Sequence, residues 1–158
     1  MEFPRNQTGF LLFNIPVGGS YELRGHFSAV AEDQKAAGFG VALRASRIAS
    51  HQFLKIKTLP SPTGTTTDST LTGPYSGLSE GGRKRDPAKA PARKDNEFLV
   101  RITPSSVAFD LNGEAVIPPF ETTRYPRGEY LALVAERMGT ERATKVSGLE
   151  IRKTDQGR

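Results

Sequence analysis

Residues 98–117 read FLVRITPSSVAFDLNGEAVI, and this stretch decides the fold class. Phe98, Val100 and Ile102 alternate with Leu99, Arg101 and Thr103, the period of two that sends successive side chains to opposite faces of a strand. Pro104-Ser105-Ser106 breaks the run, and Val107, Phe109 and Leu111 resume it. Asn112-Gly113 then supplies the dipeptide suited to a two-residue type I′ hairpin, whose central residues both take φ > 0. Three short strands in succession predict a β-meander and an all-β protein.

The same alternation recurs on both sides. Leu11 to Val17 is apolar and ends at Gly18-Gly19. Tyr21, Leu23, Phe27 and Ala29 share one face of the next run, while Glu22, Arg24, His26 and Ser28 share the other. Phe39, Val41 and Leu43 alternate with Gly40, Ala42 and Arg44, and Leu54 and Ile56 with Lys55 and Lys57. Tyr130 to Ala135 is apolar on both faces, as in a central strand, and Val146, Leu149 and Ile151 mark the last one. Glu32 to Ala37 is compatible with one helical turn but reads better as a loop. The pattern predicts a two-sheet antiparallel β-sandwich of the jelly-roll kind, in which the inner faces of both sheets supply the core. Phe13, Leu23, Phe27, Val41, Leu43, Val100, Ile102, Phe109, Leu133 and Ile151 are its expected buried residues.

The 158 residues are one domain by size and enough to bury a core. No apolar run is long enough to cross a membrane as a helix, and no signal peptide opens the chain. Met1-Glu2-Phe3 reads as a cloning scar at the start of a domain excised from an extracytoplasmic protein. With no cysteine there is neither a disulfide framework nor a thiolate metal site.

The net charge of +5 is confined to one place. Arg83, Lys84, Arg85, Lys89, Arg93 and Lys94 face a single local acid, Asp86, so the rest of the chain is neutral. Such a run reads as a solvated loop. It does not favour nucleic acid, whose readers spread positive charge over a folded face. The whole segment from about 60 to 95 is rich in Pro, Gly, Ser and Thr, and reads as a flexible insertion between two strands.

Four features in this order, YELRGHFSA, FGVALR, the FLVRI…VAFDLNGEAV meander and the closing VSGLEIRK, resemble a laminin-G-like, concanavalin A-like jelly roll. Within that class the chain is most similar to the bacterial 3-keto-disaccharide hydrolase group, once a domain of unknown function. The matching positions are Tyr21-Glu22-Leu23-Arg24, Asn112-Gly113 and Leu149-Glu150-Ile151-Arg152. The resemblance implies sugars as ligands but brings no catalytic set to these positions, and the fold hosts many functions.

Enzymatic readings find little support in the residues. Retaining glycosidases place two carboxylates about 5 Å apart, and no closely spaced set along one strand is present. Asp110 and Glu114 flank a turn, where solvated acids are ordinary. His26 and His51 are too few for a multi-histidine zinc site, and no serine motif accompanies them. Gly38-Phe39-Gly40 leads into a strand and lacks a phosphate-loop lysine. No cofactor is implied.

One polar set remains. Alternation places Arg24 and His26 on the face of their strand opposite Leu23 and Phe27, and directs Arg44, Lys55, Lys57 and Arg101 away from the core. On neighbouring strands these would line a surface able to donate to sugar hydroxyls or pair with an anionic group. Tryptophan is absent, which leaves Tyr125 in ETTRYPRGE as the best-placed ring for stacking on a sugar. Arg24, His26, Arg44, Arg101 and Tyr125 are therefore the candidate ligand-binding residues. As solvent-facing residues, Arg24 and Arg44 should be removable together without loss of stability. Two functions stay open: a non-catalytic carbohydrate-recognition or protein-interaction module of a larger bacterial protein, taking a glycan or anionic surface group, and a glycoside-cleaving domain of the 3-keto-glycoside hydrolase kind.

Overall fold

A computed structural model of the chain describes residues 2–3, 9–12, 17–30, 37–45, 54–61, 65–72, 79–80, 83–84, 88–122, 128, 130–135 and 144–154. Among the described residues the regular elements are all strands: β1 (Glu2–Phe3), β2 (Gly9–Leu12), β3 (Tyr21–Ala29), β4 (Phe39–Ala45), β5 (Leu54–Pro60), β6 (Thr66–Thr72), β7 (Ser79–Glu80), β8 (Arg83–Lys84), β9 (Ala88–Pro91), β10 (Asp95–Ile102), β11 (Ser106–Leu111), β12 (Glu114–Glu121), β13 (Tyr130–Ala135) and β14 (Thr144–Lys153). They form two six-stranded antiparallel sheets and a ribbon of β7 and β8. The first sheet runs β1-β14-β3-β10-β11-β12 and the second β2-β13-β4-β5-β6-β9. This is the all-β, two-sheet antiparallel sandwich that the alternation predicts. No helix among the described residues is long and apolar enough to cross a membrane.

The meander sits where its sequence puts it. Val100 faces Phe109 across β10 and β11, and Asn112 and Gly113 take φ of 53° and 81°, as a type I′ turn requires. Between the sheets, Phe27 and Phe98 of the first and Phe39 of the second form one aromatic cluster. Phe39 stacks on Phe98 at 4.4 Å and on Phe27 at 5.2 Å between ring centroids. Leu23, Val41, Leu43, Leu54, Ile56, Val100, Phe109, Leu131 and Leu133 are among the buried residues packed around this cluster. Burying one such side chain is worth about 1.5–3 kcal/mol, so these faces fix which side of each strand looks inward.

Phe13 lies outside the described residues, and Ile151 departs from expectation at 40% exposure. Its register partner is the buried Leu23, so Ile151 does face inward. It stays exposed because, among the described residues, β1 pairs with β14 only at Thr144 and Lys145 and no other described strand flanks β14 near Ile151. An extra residue is accommodated between Ser147 and Glu150, where Gly148 takes φ of 60°. This bulge lets Val146 and Ile151 share a face although five positions separate them.

Part of the segment read as a flexible insertion is regular. β6 pairs with β5, and β9 with β6, as the outer strands of the second sheet. Thr67 and Ser69 are buried, and the Ser69 hydroxyl lies 3.0 Å from that of Thr58. Thr67, Ser69 and Leu71 keep the period of two, and threonine is a good strand former. Composition alone hides this, because Ser and Thr are as common in loops as Thr is in strands. The basic residues after Pro91 are also tied down, with Arg93 O and Lys94 O accepting from Ala37 N and Ala29 N.

Candidate functional site

The structure divides the polar residues of the sequence reading between different faces. Arg24, His26 and Arg101 lie on the outer face of the first sheet, as alternation requires. Arg24 Nε and Nη2 both donate to Glu150 Oε2, at 2.9 and 2.5 Å. The hydrogen bond and charge of Glu150 raise the pKa of Arg24 above its ordinary value. Arg101 makes a bidentate pair with Asp110 at 2.6 and 2.7 Å. His26 stands level with Glu97 on one side and Ser147 on the other. Both guanidiniums thus have carboxylate partners within the sheet. Lys55 and Lys57 are half-buried on the outer face of the second sheet. Tyr125 lies outside the described residues.

Arg44 does not point outward. It is 7% exposed, and its guanidinium donates to the carbonyls of Thr122, at 3.3 Å, and Thr103, both in the segments that end strands of the first sheet. The cause is local. Ala42 pairs with Ala132 and Ala45 with Tyr130, so three steps on β4 match two on β13. Arg44 takes φ of 54° at this irregularity, and a bulge of this kind re-aims a side chain. A period-two count through LRA cannot detect an inserted residue, and so it put Arg44 on the wrong face.

Around Arg44, at one end of the sandwich, lies a cleft of about 320 Å³. That is within the roughly 300–1,000 Å³ of small-molecule sites. Val17, Gly18 and Gly19 form one wall, Ile102 to Ser105 another, and Tyr21, Arg44 and Gly128 complete the lining. The turn after β10 is held by its own hydroxyls. Thr103 Oγ1 accepts from Ser106 N at 2.9 Å and from Ser105 N at 3.3 Å, while Ser105 O accepts from Thr122 N at 2.6 Å. Gly128 presses on the backbone of β4, where a Cβ would overlap the carbonyls of Ala45 and Arg44.

Burial pushes the Tyr21 phenol up to about 12, against the opposing pull of the Arg44 charge. The lining can therefore present a neutral hydroxyl and a permanent cation, together with serine and threonine hydroxyls on the wall that the hydrogen bonds of the turn after β10 hold in place. From sequence Tyr21 reads only as a residue on the same face as Leu23 and Phe27. The signal was present, since a tyrosine on an inward face needs somewhere to put its hydroxyl. Among the described residues no cluster of His, Asp and Glu could hold a metal ion.

No family model matches the chain, and no curated protein matches it. Solved structures do. The lumenal domain of VIP36, in a form bound to Ca²⁺ and Man3GlcNAc, is similar with a TM-score of 0.64 and 16% identity, over 98% of this chain and 79% of that one. The carbohydrate-binding module CBM66 from Bacillus subtilis gives 0.61 and 8%, over 96% and 86%. The apo Crh5 transglycosylase gives 0.60 and 9%, over 98% and 72%. At these identities the likeness establishes the fold, a concanavalin A-like β-sandwich shared by sugar-binding and sugar-processing proteins.

Proposed function

We propose that this domain is a non-catalytic carbohydrate-recognition module whose saccharide seats in the cleft beside Arg44. The observation that carries the reading is the placement of a buried guanidinium, fixed across the sandwich, at a cleft walled by hydroxyls and turn backbone. Such a lining matches a polyol, whose hydroxyls both donate and accept. The turn that forms one wall is held by its own hydrogen bonds, which keeps the entropic cost of ordering it on binding low. The sugar-binding proteins that share the fold make a saccharide the natural ligand class.

Recognition is favoured over cleavage by the chemistry of the lining. Glycoside hydrolysis of the ordinary kind uses two carboxylates, about 5–9.5 Å apart. The described lining residues offer hydrogen-bond donors and acceptors but no carboxylate. A ligand on the outer face of the first sheet would have to displace Glu150 from Arg24 and Asp110 from Arg101, which makes that face the poorer site.

Titration calorimetry against a panel of neutral and acidic oligosaccharides tests the assignment. Wild-type protein should bind a member of the panel, and Ser105→Trp, which fills the cleft from an exposed position, should abolish binding while the protein stays folded. Unchanged binding by Ser105→Trp would move the site elsewhere. Turnover of a glycoside or 3-keto-glycoside, lost on replacing a single carboxylate, would overturn the non-catalytic reading in favour of a 3-keto-disaccharide hydrolase-like activity.

A further inference from the structure

The margin of the first sheet carries an inference independent of the cleft. Beyond Thr144 and Lys145, no described strand pairs with the outer edge of β14. Residues 147, 148 and 150–153 are exposed, and among the described residues Ile151 and Val30 are the large apolar side chains left at the surface. An open edge with an exposed isoleucine is a template for another strand.

The direction of the backbone groups fixes which residues are available. Thr154 N donates to Ser20 O at 3.0 Å, so the peptide groups of Thr154 point toward β3. By the alternation of an antiparallel ladder, those of Arg152 and Glu150 do the same, and those of Leu149, Ile151 and Lys153 face the open edge.

The side chains then select a partner. On the outer face, rows of residues run across the sheet from strand to strand. One row is Arg101, Glu22 and Arg152, alternating in sign and ending at the margin on a cation. The next is Leu99, Arg24 and Glu150, ending on an anion. A second copy of β14, laid antiparallel about a twofold axis at Ile151, brings Glu150 opposite the partner's Arg152 and Arg152 opposite the partner's Glu150. Both rows continue with their signs alternating across the junction. On the inner face the two Ile151 side chains meet, and cross-strand β-branched pairs are favourable. The outward peptide groups of Leu149, Ile151 and Lys153 meet those of the partner's Lys153, Ile151 and Leu149. Centring the axis on Leu149 instead would force the bulge at Gly148 into the ladder.

We infer that this edge is a homodimer interface, in which β14 pairs with its own copy about Ile151 and joins the two first sheets into one. Five residues a side make a small interface, so the association is weak and reversible.

Sedimentation equilibrium of the wild-type protein, from about 10 to 500 µM, is the test, with the weak-interface class setting the range. A monomer–dimer equilibrium is expected. Arg152→Glu, which sets like charges opposite one another, should weaken it at least tenfold, while Arg152→Lys, which keeps the charge, should leave it close to wild type. Circular dichroism confirms that each variant is folded. A second probe, Ile151→Lys, should give a monomer. A wild-type protein that stays monomeric throughout overturns the inference, as does a dimer that Arg152→Glu and Ile151→Lys both leave unchanged.

Discussion

Gly25 of β3 lies directly opposite Phe98 of β10, and the ring of Phe98 occupies the space that a Cβ on Gly25 would need. Such a Cβ would stand 3.1 Å from Cε1 and Cζ of the ring and 3.0 Å from Leu149 Cδ2. The ring cannot easily yield, because Phe39 stacks on it from the facing sheet. Alanine in a strand gains about 0.5–1 kcal/mol over glycine from the backbone, while overpacking a core costs about 1–3 kcal/mol. Overpacking wins, and Gly25→Ala should lower stability by about 1–2 kcal/mol, read as a reduced urea midpoint at constant slope.

The hairpin at Asn112-Gly113 yields a graded prediction. Asn112 N donates to Glu97 O at 2.8 Å, Asn112 Oδ1 accepts from Glu97 N at 3.0 Å, and Asn112 Nδ2 donates to Asn96 Oδ1 at 3.0 Å. The side chain thus closes the open end of the β10–β11 ladder while the backbone sits in the left-handed region. Asn112→Ala loses the side-chain bonds and strains the turn, and should cost about 2 kcal/mol. Asn112→Gly loses the bonds alone and should cost less. Gly113→Ala, at φ of 81°, should cost about 1–2 kcal/mol. Chemical denaturation of the three variants checks the order, and an Asn112→Gly protein less stable than Asn112→Ala would contradict it.

Residues whose environment is set by simple alternation were legible in the sequence, and those set by an inserted residue were not. Leu23, Phe27, Val41, Val100, Ile102, Phe109 and Leu133 lie buried where a period of two puts them. Arg44 and Ile151 each lie on a strand with a register shift, one re-aimed between the sheets and the other left at a sheet margin that only the topology reveals. The cleft was illegible for a related reason. Its walls come from Gly18-Gly19, from the turn after β10 and from Gly128, three segments that only the folded chain brings together. Thr67 and Ser69 show the reverse case, a strand concealed by loop-like composition although its alternation was intact.

Arg44 should matter for stability as well as for binding, contrary to its reading as a solvent-facing residue. Its guanidinium satisfies the carbonyls of Thr103 and Thr122, and hydrogen bonds to a charged group are worth about 1.5–3 kcal/mol. Arg44→Met keeps the aliphatic stem but leaves both acceptors without that donor, and should cost about 3 kcal/mol. Arg44→Lys, whose compact ammonium cannot match the planar fork, should fall between wild type and Arg44→Met. Equal midpoints for all three proteins in thermal unfolding would mean that the two carbonyls find water at no cost.

Tyr21 predicts how stability should depend on pH in the alkaline range. In the folded protein its phenol is held near 12 by burial, while in the unfolded chain it ionises near 10. Between these values the unfolded chain releases the proton and the folded protein keeps it, so the folded state binds more protons and stability falls as pH rises. The contribution is fully present below about pH 10 and is lost on passing through pH 12. Two units at 1.36 kcal/mol each make the loss about 2–3 kcal/mol. Tyr21→Phe has no proton to release, and urea unfolding of that variant at pH 9 and pH 12 should show a decline smaller by this amount than in the wild type. Parallel declines in the two proteins would mean that the phenol reaches solvent through the cleft and titrates freely in the folded state.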